Sequence, residues 1–196
     1  GDLWDSTLGI SKSNDPAAAA SGNNLVVYAL PTIVDSLAIA ASYASDGEND
    51  AGSTAYSAVY TGVEGLTLSY GVGSDSSTAK VDKDQTIMKA AYAIGSFTLG
   101  YSNNDFDHTT DTSDQEVTSM NIAYTVSDSI SVGYGEETIK MNGRTSDIDV
   151  DGFNASYTSG GMTLTLKSVE ATNIDYSSTT ANNDNEMWKV GLSFAF

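Results

Sequence analysis

The segment Asp147-Ile148-Asp149-Val150-Asp151-Gly152 carries carboxylates on alternate residues and a glycine in sixth place, the spacing that opens an EF-hand calcium loop. Such a loop closes with a bidentate glutamate at its twelfth position and lies between two helices. Here the twelfth position is Thr158 and no helical pattern flanks it, so no dedicated metal site is expected. Read as a strand, the segment puts Ile148 and Val150 on one face and the aspartates on the other. The apolar face then switches to Phe153, Ala155 and Tyr157, which predicts a β-bulge at Gly152. His108, the single histidine, sits in Asp105-Phe106-Asp107-His108, where the sequence nominates neither a nucleophile nor an orienting partner; no catalytic residue is expected. Gly71-Val72-Gly73 and Gly133-Tyr134-Gly135 precede no helix whose N-terminus could hold a phosphate, and small residues facing a lumen are the simpler account.

The remaining chemistry is that of charge. There are 26 Asp and Glu against 8 Lys and Arg in 196 residues, a net charge of −18, which repels phosphate backbones and excludes nucleic acid as a partner. With no cysteine there is no disulfide framework and no thiol chemistry. The acid concentrates in stretches such as 46–50 and 105–114, where weak divalent-cation binding is the most that clustered carboxylates imply. Three of the few cations, Lys89, Lys167 and Lys189, lie instead in segments of alternating apolar and small polar residues.

Those segments are the elements that must position the lysines. Leu66, Leu68 and Tyr70 alternate with Thr67, Ser69 and Gly71, and the same period of two runs through most of the chain from Asn24 onward. It predicts eleven strands, at 24–30, 36–44, 53–61, 65–73, 84–94, 96–103, 115–125, 129–138, 147–158, 162–171 and 185–196. Short links at 31–35, 62–64, 95, 126–128 and 159–161 alternate strictly with long ones around 45–52, 74–83, 104–114, 139–146 and 172–184. Short turns at one end and long loops at the other describe an antiparallel meander across a bilayer. No stretch is long and apolar enough for a transmembrane helix, whereas a membrane strand needs only about 9–11 residues. Gly1-Asp2-Leu3-Trp4 lacks the basic start and apolar run of a secretory leader, so a leader has been removed or the true N-terminus lies upstream.

A repeat fixes which face meets lipid. Tyr28, Tyr60, Tyr92 and Tyr124 recur at intervals of 32 residues, Tyr157 follows 33 later, and each stands just before a short turn. Two strands per repeat is too few for a propeller blade. A soluble core has no reason to hold tyrosine at one height on every second strand; an interfacial girdle does, because the ring is apolar and the hydroxyl wants water. In the last strand Trp188, Val190, Leu192, Phe194 and Phe196 share the apolar face, while Lys189, Gly191 and Ser193 share the other. With the apolar face turned to lipid, Lys89, Lys167 and Lys189 point into the lumen near mid-height, where rings of charge select ions.

The final strand, apolar on alternate residues and ending in Phe196, resembles that of the porin family of Gram-negative outer-membrane proteins, and with the hairpin repeat the resemblance covers nearly the whole chain. It implies an all-β, up-and-down transmembrane barrel in the outer membrane, in contact with lipid and lipopolysaccharide, passing small hydrophilic solutes by diffusion and assembling as a homotrimer. Sixteen strands are usual in that family, so the eleven here would be strands 6–16. Residues 1–23 would then be the loop that folds into the lumen as a constriction, with Asp2, Asp5 and Asp15 facing the lysines, and 24–196 the barrel strands. Acid near the mouth implies a weak cation preference. Two competing readings make different predictions. A soluble or surface-attached acidic β protein, an adhesin or calcium binder, would bury Tyr60, Tyr92 and Tyr124. A twelve-stranded barrel with transport or enzyme activity would pair residues 3–10 with the last strand.

Overall fold

The computed structural model describes residues 25–45, 52–75, 83–108, 114–177 and 184–195. Segments that alternate aromatic or branched residues with small polar ones separate two unlike faces only when extended, and among the described residues every such segment forms a strand. The strands are β1 (Leu25–Ala29), β2 (Leu37–Ser45), β3 (Gly52–Val63), β4 (Leu66–Asp75), β5 (Lys83–Ile94), β6 (Phe97–His108), β7 (Gln115–Ser127), β8 (Ile130–Met141), β9 (Ile148–Ser159), β10 (Met162–Thr172) and β11 (Asn185–Phe194). All eleven form one sheet in chain order, and each pairing is antiparallel.

Four of the short links close as two-residue turns at 64–65, 95–96, 128–129 and 160–161. Gly65 shows what such a turn demands. Its φ is +76°, its carbonyl accepts the Ala93 N–H at 2.8 Å, and a Cβ there would stand 2.2 Å from the Ala93 carbonyl oxygen. Only glycine fits both the left-handed backbone and the close approach of the next hairpin.

Two strands outrun their sequence pattern. β6 continues to His108 and β8 to Met141, so Asp105 and Asp107 are strand residues and not loop residues. The apolar stripe stops earlier because the outward side chains change to Asn103, Asp105, Glu136 and Thr138, while the backbone ladder to β7 and β9 runs on unbroken.

No bulge exists at Gly152. The register passes through Gly135, Gly152 and Val169 without a shift; irregularities occur instead at Tyr60/Val63 and Thr125/Ser127. The apolar residues of β9 therefore do change sides. Phe153, Ala155 and Tyr157 face outward, whereas Ile148 and Val150 face inward with Asp149 and Asp151 outside. The reason is a local core: Ile139, Ile148, Val150, Val169 and Ala171 line the inner face at the long-loop end, covered by Ile174 and Tyr176 of the 3-10 turn that follows β10. There the outside of the sheet meets water, so the carboxylates face out.

Candidate functional site

The outer face reads as a membrane belt. Towards the short turns it carries Tyr60, Tyr92, Tyr124, Tyr157 and Phe194, with Tyr28 on the shorter β1, and Phe97 stacks beside Tyr124 at 4.6 Å between ring centroids. Tyr60, Tyr92 and Tyr124 are 36%, 37% and 37% exposed. A soluble core would bury them, so the acidic soluble reading fails.

A second aromatic ring, not foreseen from the sequence, bounds the belt at its other edge, with Tyr43, Tyr70, Tyr101, Tyr134, Phe153 and Trp188 among its members. Each stands on the outward stripe, and on most strands the next outward residues are polar. The Tyr134 hydroxyl donates to Glu136 Oε1 at 3.0 Å and the Trp188 indole N–H donates to Glu186 Oε1 at 2.5 Å. An aromatic body in lipid with its polar tip raised to a carboxylate marks an interface. The signal was available: an outward aromatic followed two residues nearer the long loop by Asn, Asp or Glu. Between the rings, β11 presents Phe194, Leu192, Val190 and Trp188, about 20 Å of strand at roughly 3.3 Å per residue, the order of the apolar band of an outer-membrane barrel.

Beyond the second ring the outward face is acidic and internally hydrogen-bonded. Asn103 Nδ2 donates to Glu116 Oε1 at 2.8 Å, Lys140 Nζ lies 3.5 Å from Glu116 Oε2, and Thr138 Oγ1 donates to Asp149 Oδ1 at 2.9 Å. Burial, and then the charges of Asp107, Glu116 and Asp114, push the Asp105 carboxyl above the usual carboxylate range. Asp149 and Asp151 project from an extended strand, an arrangement that cannot wrap one ion as a calcium loop does. His108 ends β6, and its backbone N–H donates to Asp114 Oδ1 at 2.9 Å.

The inner face is a wall of small and polar residues. A concavity of about 390 Å³ over β1–β5 is lined by Val27, Ala40, Ser42, Ser57, Gly71 and Gln85, among others. Further round, Gln85 Nε2 donates to Asn104 Oδ1 at 2.8 Å, Ser119 Oγ donates to Glu137 Oε2 at 2.9 Å, and the Ser131 and Ser156 hydroxyls meet at 2.7 Å. Gly133, opposite Asn154, leaves the room that this side chain occupies: a Cβ on the glycine would stand 3.0 Å from Asn154 Oδ1. Lys89 sits on this face between Ser69 and Ser102. Lys167 lies directly between Asn154 and Lys189. The fold thus brings Lys167 and Lys189 together as cross-strand neighbours and leaves Lys89 apart on β5. Asp2, Asp5, Asp15 and Phe196 lie outside the described residues, as does the pairing of residues 3–10 with the last strand.

A family profile for Gram-negative porins matches residues 1–158. The chain belongs to that family. Its place is the bacterial outer membrane, and its eleven-stranded antiparallel sheet has the architecture of an outer-membrane β-barrel wall. Solved structures agree in fold: an anion-selective porin from Comamonas acidovorans (TM-score 0.73, 16% identity, 89% of this chain and 60% of that one), another porin (0.68, 18%, 95% and 66%) and OmpT, an outer membrane protein of Vibrio cholerae (0.62, 17%, 87% and 63%). One structure of the last is a trimer form. The porin described here therefore spans a little under two thirds of the length of these proteins. No curated protein sequence matches it.

Proposed function

We propose that this porin is a passive diffusion channel for small hydrophilic solutes and ions, and that its eleven strands are strands 6–16 of a sixteen-stranded barrel. The observation that carries the reading is the two-faced wall: aromatic rings bound an apolar belt outside, while a small, polar, lysine-bearing surface lies inside. β1 and β11 are not paired with each other, which leaves the sheet to be completed by further strands. Residues 1–23 are proposed as the constriction loop, with Asp2, Asp5 and Asp15 opposite the lysines. A homotrimer is proposed from family membership and from the trimer form of the Vibrio cholerae protein. The outward carboxylates beyond the second ring are proposed to face lipopolysaccharide head groups, and divalent cations bridging the two would bind weakly and without a dedicated site.

Ion preference follows from how the fold sorts charge. On the strands, Asp105, Glu116, Glu136, Asp149, Asp151 and Glu170 project outward near the mouth, whereas Lys89, Lys167, Lys189 and Glu137 face the lumen. The rim concentrates cations by its field and the wall favours anions, so the two oppose each other and a weak net cation preference remains. Planar-bilayer reversal potentials of the full-length protein in a salt gradient test this. A cation-favouring potential that grows when Lys167 or Lys189 is changed to Glu is expected. A parent channel that favours anions would transfer selectivity to the wall, and a protein that never inserts would overturn the channel.

A further inference from the structure

The inner wall of a water-filled channel is ordinarily polar, yet at the long-loop end of β8–β10 it is made of Ile139, Ile148, Val150, Val169 and Ala171, none more than 2% exposed. What covers them is the chain immediately after β10. Ile174 and Tyr176 turn inward onto this patch, with Val117, Met141 and Met187 packed at its margin, while Asp175 between them stays exposed.

Three observations describe a built contact. The backbone accepts left-handed conformations at three non-glycine residues in four, with φ +53° at Asn173, +68° at Asp175 and +57° at Tyr176, which the surrounding packing must hold in place. The Gln115 side-chain amide donates to the Tyr176 hydroxyl at 2.7 Å, and both groups are buried. The Arg144 guanidinium, from the loop between β8 and β9, stands 5.6 Å from the centre of the Tyr176 ring. Gln115 is on β7, three strands from β10, so the turn reaches across about 14 Å of the inner wall at roughly 4.8 Å per strand. A chain that follows this course occupies space the mouth of the channel would otherwise leave open.

We propose that the turn at residues 173–177 is a size-selecting element in the mouth of the channel, independent of residues 1–23, with Tyr176 as its anchor and Gln115 as the residue that positions Tyr176. It limits passage of uncharged hydrophilic solutes, saccharides of increasing length being the natural probe class. The inference rests on the diffusion-channel reading above. Burial pushes the Tyr176 phenol above its usual range, opposed by Gln115 and Arg144, so the anchor remains neutral at the pH where the channel works.

The test uses the full-length protein, with folding checked by heat-modifiable electrophoretic mobility. This chain has no cysteine, so once any cysteine in the rest of the full-length protein is replaced by serine, Ala171→Cys, buried under the turn, and Asn154→Cys, exposed lower on the same face, are single reporters of access to a small water-soluble thiol reagent. With the turn docked, Ala171→Cys should label at least about a hundredfold more slowly than Asn154→Cys, since it reacts only through local opening. Adding Tyr176→Ala should raise that rate by about tenfold or more, with Tyr176→Phe intermediate. In liposome swelling, Tyr176→Ala should admit a trisaccharide several times faster than the parent while a monosaccharide enters at a similar rate. Equal labelling at the two positions in the parent would overturn the docked turn. Faster labelling with unchanged saccharide passage and single-channel conductance would overturn size selection. A parent that conducts nothing would overturn the channel function, and this reading with it.

Discussion

At the scale of single residues, burial alone does not sort the side chains of this sheet; the medium each one meets does. Ile122 and Tyr124 are both outward and partly exposed, at 41% and 37%, yet one is mid-belt and the other at its edge. Ile122→Arg should cost about 2–4 kcal/mol and Tyr124→Arg about 0–1 kcal/mol, the depth dependence of charge on a lipid face. Urea unfolding from lipid vesicles would show the gap; equal costs would count against the belt as drawn. Asp105 gives a second residue-scale prediction. Its carboxyl is raised by burial and then by Asp107, Glu116 and Asp114, so the ionised form is the unfavourable one in the folded protein. That penalty is present above its folded pKa and disappears as the pH falls through it. Asp105→Asn should therefore slow amide exchange in the β6–β7 hairpin at about pH 7 and change little at about pH 3, where the wild-type carboxyl is already neutral.

At the scale of elements, each strand serves two environments in turn, and β9 shows it best. Its lower half puts Phe153 and Tyr157 to lipid; its upper half puts Asp149 and Asp151 to water and Ile148 and Val150 under the turn after β10. Ile148→Ala should cost about 2–4 kcal/mol by leaving a cavity, whereas Asp149→Ala, one residue away, should stay within about 0.5 kcal/mol. Equilibrium unfolding of the two variants would separate an inward apolar strand end from a merely solvated one. The short turns carry a similar contrast. Gly65 and Gly160 both have positive φ, but a Cβ meets the Ala93 carbonyl at Gly65 and nothing within 4 Å at Gly160. Alanine at Gly160 should cost about 1–2 kcal/mol for backbone conformation alone; at Gly65 it should cost more and slow insertion.

At the scale of the whole molecule, the proposed ion preference follows from opposite charge on the two sides of one sheet. A net of −18 describes the chain, but on the proposed channel reading a solute in the lumen meets three lysines and Glu137 along the wall, and most of the strands' acid lies outward near the rim. Screening separates the two, because the Debye length falls from about 10 Å at 0.1 M salt to about 3 Å at 1 M. Rim carboxylates act over longer distances than wall lysines that solutes pass closely. Cation preference should therefore weaken between about 0.1 and 1 M salt, and Lys167→Glu should still shift the reversal potential at the higher concentration. Reversal potentials at both concentrations check this.

The sequence by itself determined the strands, their order, the tyrosine stripe near the short turns and the placing of Lys89, Lys167 and Lys189 on the opposite face. A period of two is a local property, and a residue's face follows from its parity once one apolar stripe is assigned to lipid. The family likeness rested on the same parity in the final strand. Tertiary structure alone decided what lies across from what. The pairing of Lys167 with Lys189 depends on the register of β10 against β11, which parity does not fix. Where β6 and β8 end depends on hydrogen-bond ladders that outlast the apolar stripe. The inward face of Ile148 and Val150 has meaning only because Tyr176 returns from beyond β10 to Gln115 on β7. Alternation tells which residues share a face, but not whether lipid, water or another part of the chain will cover it.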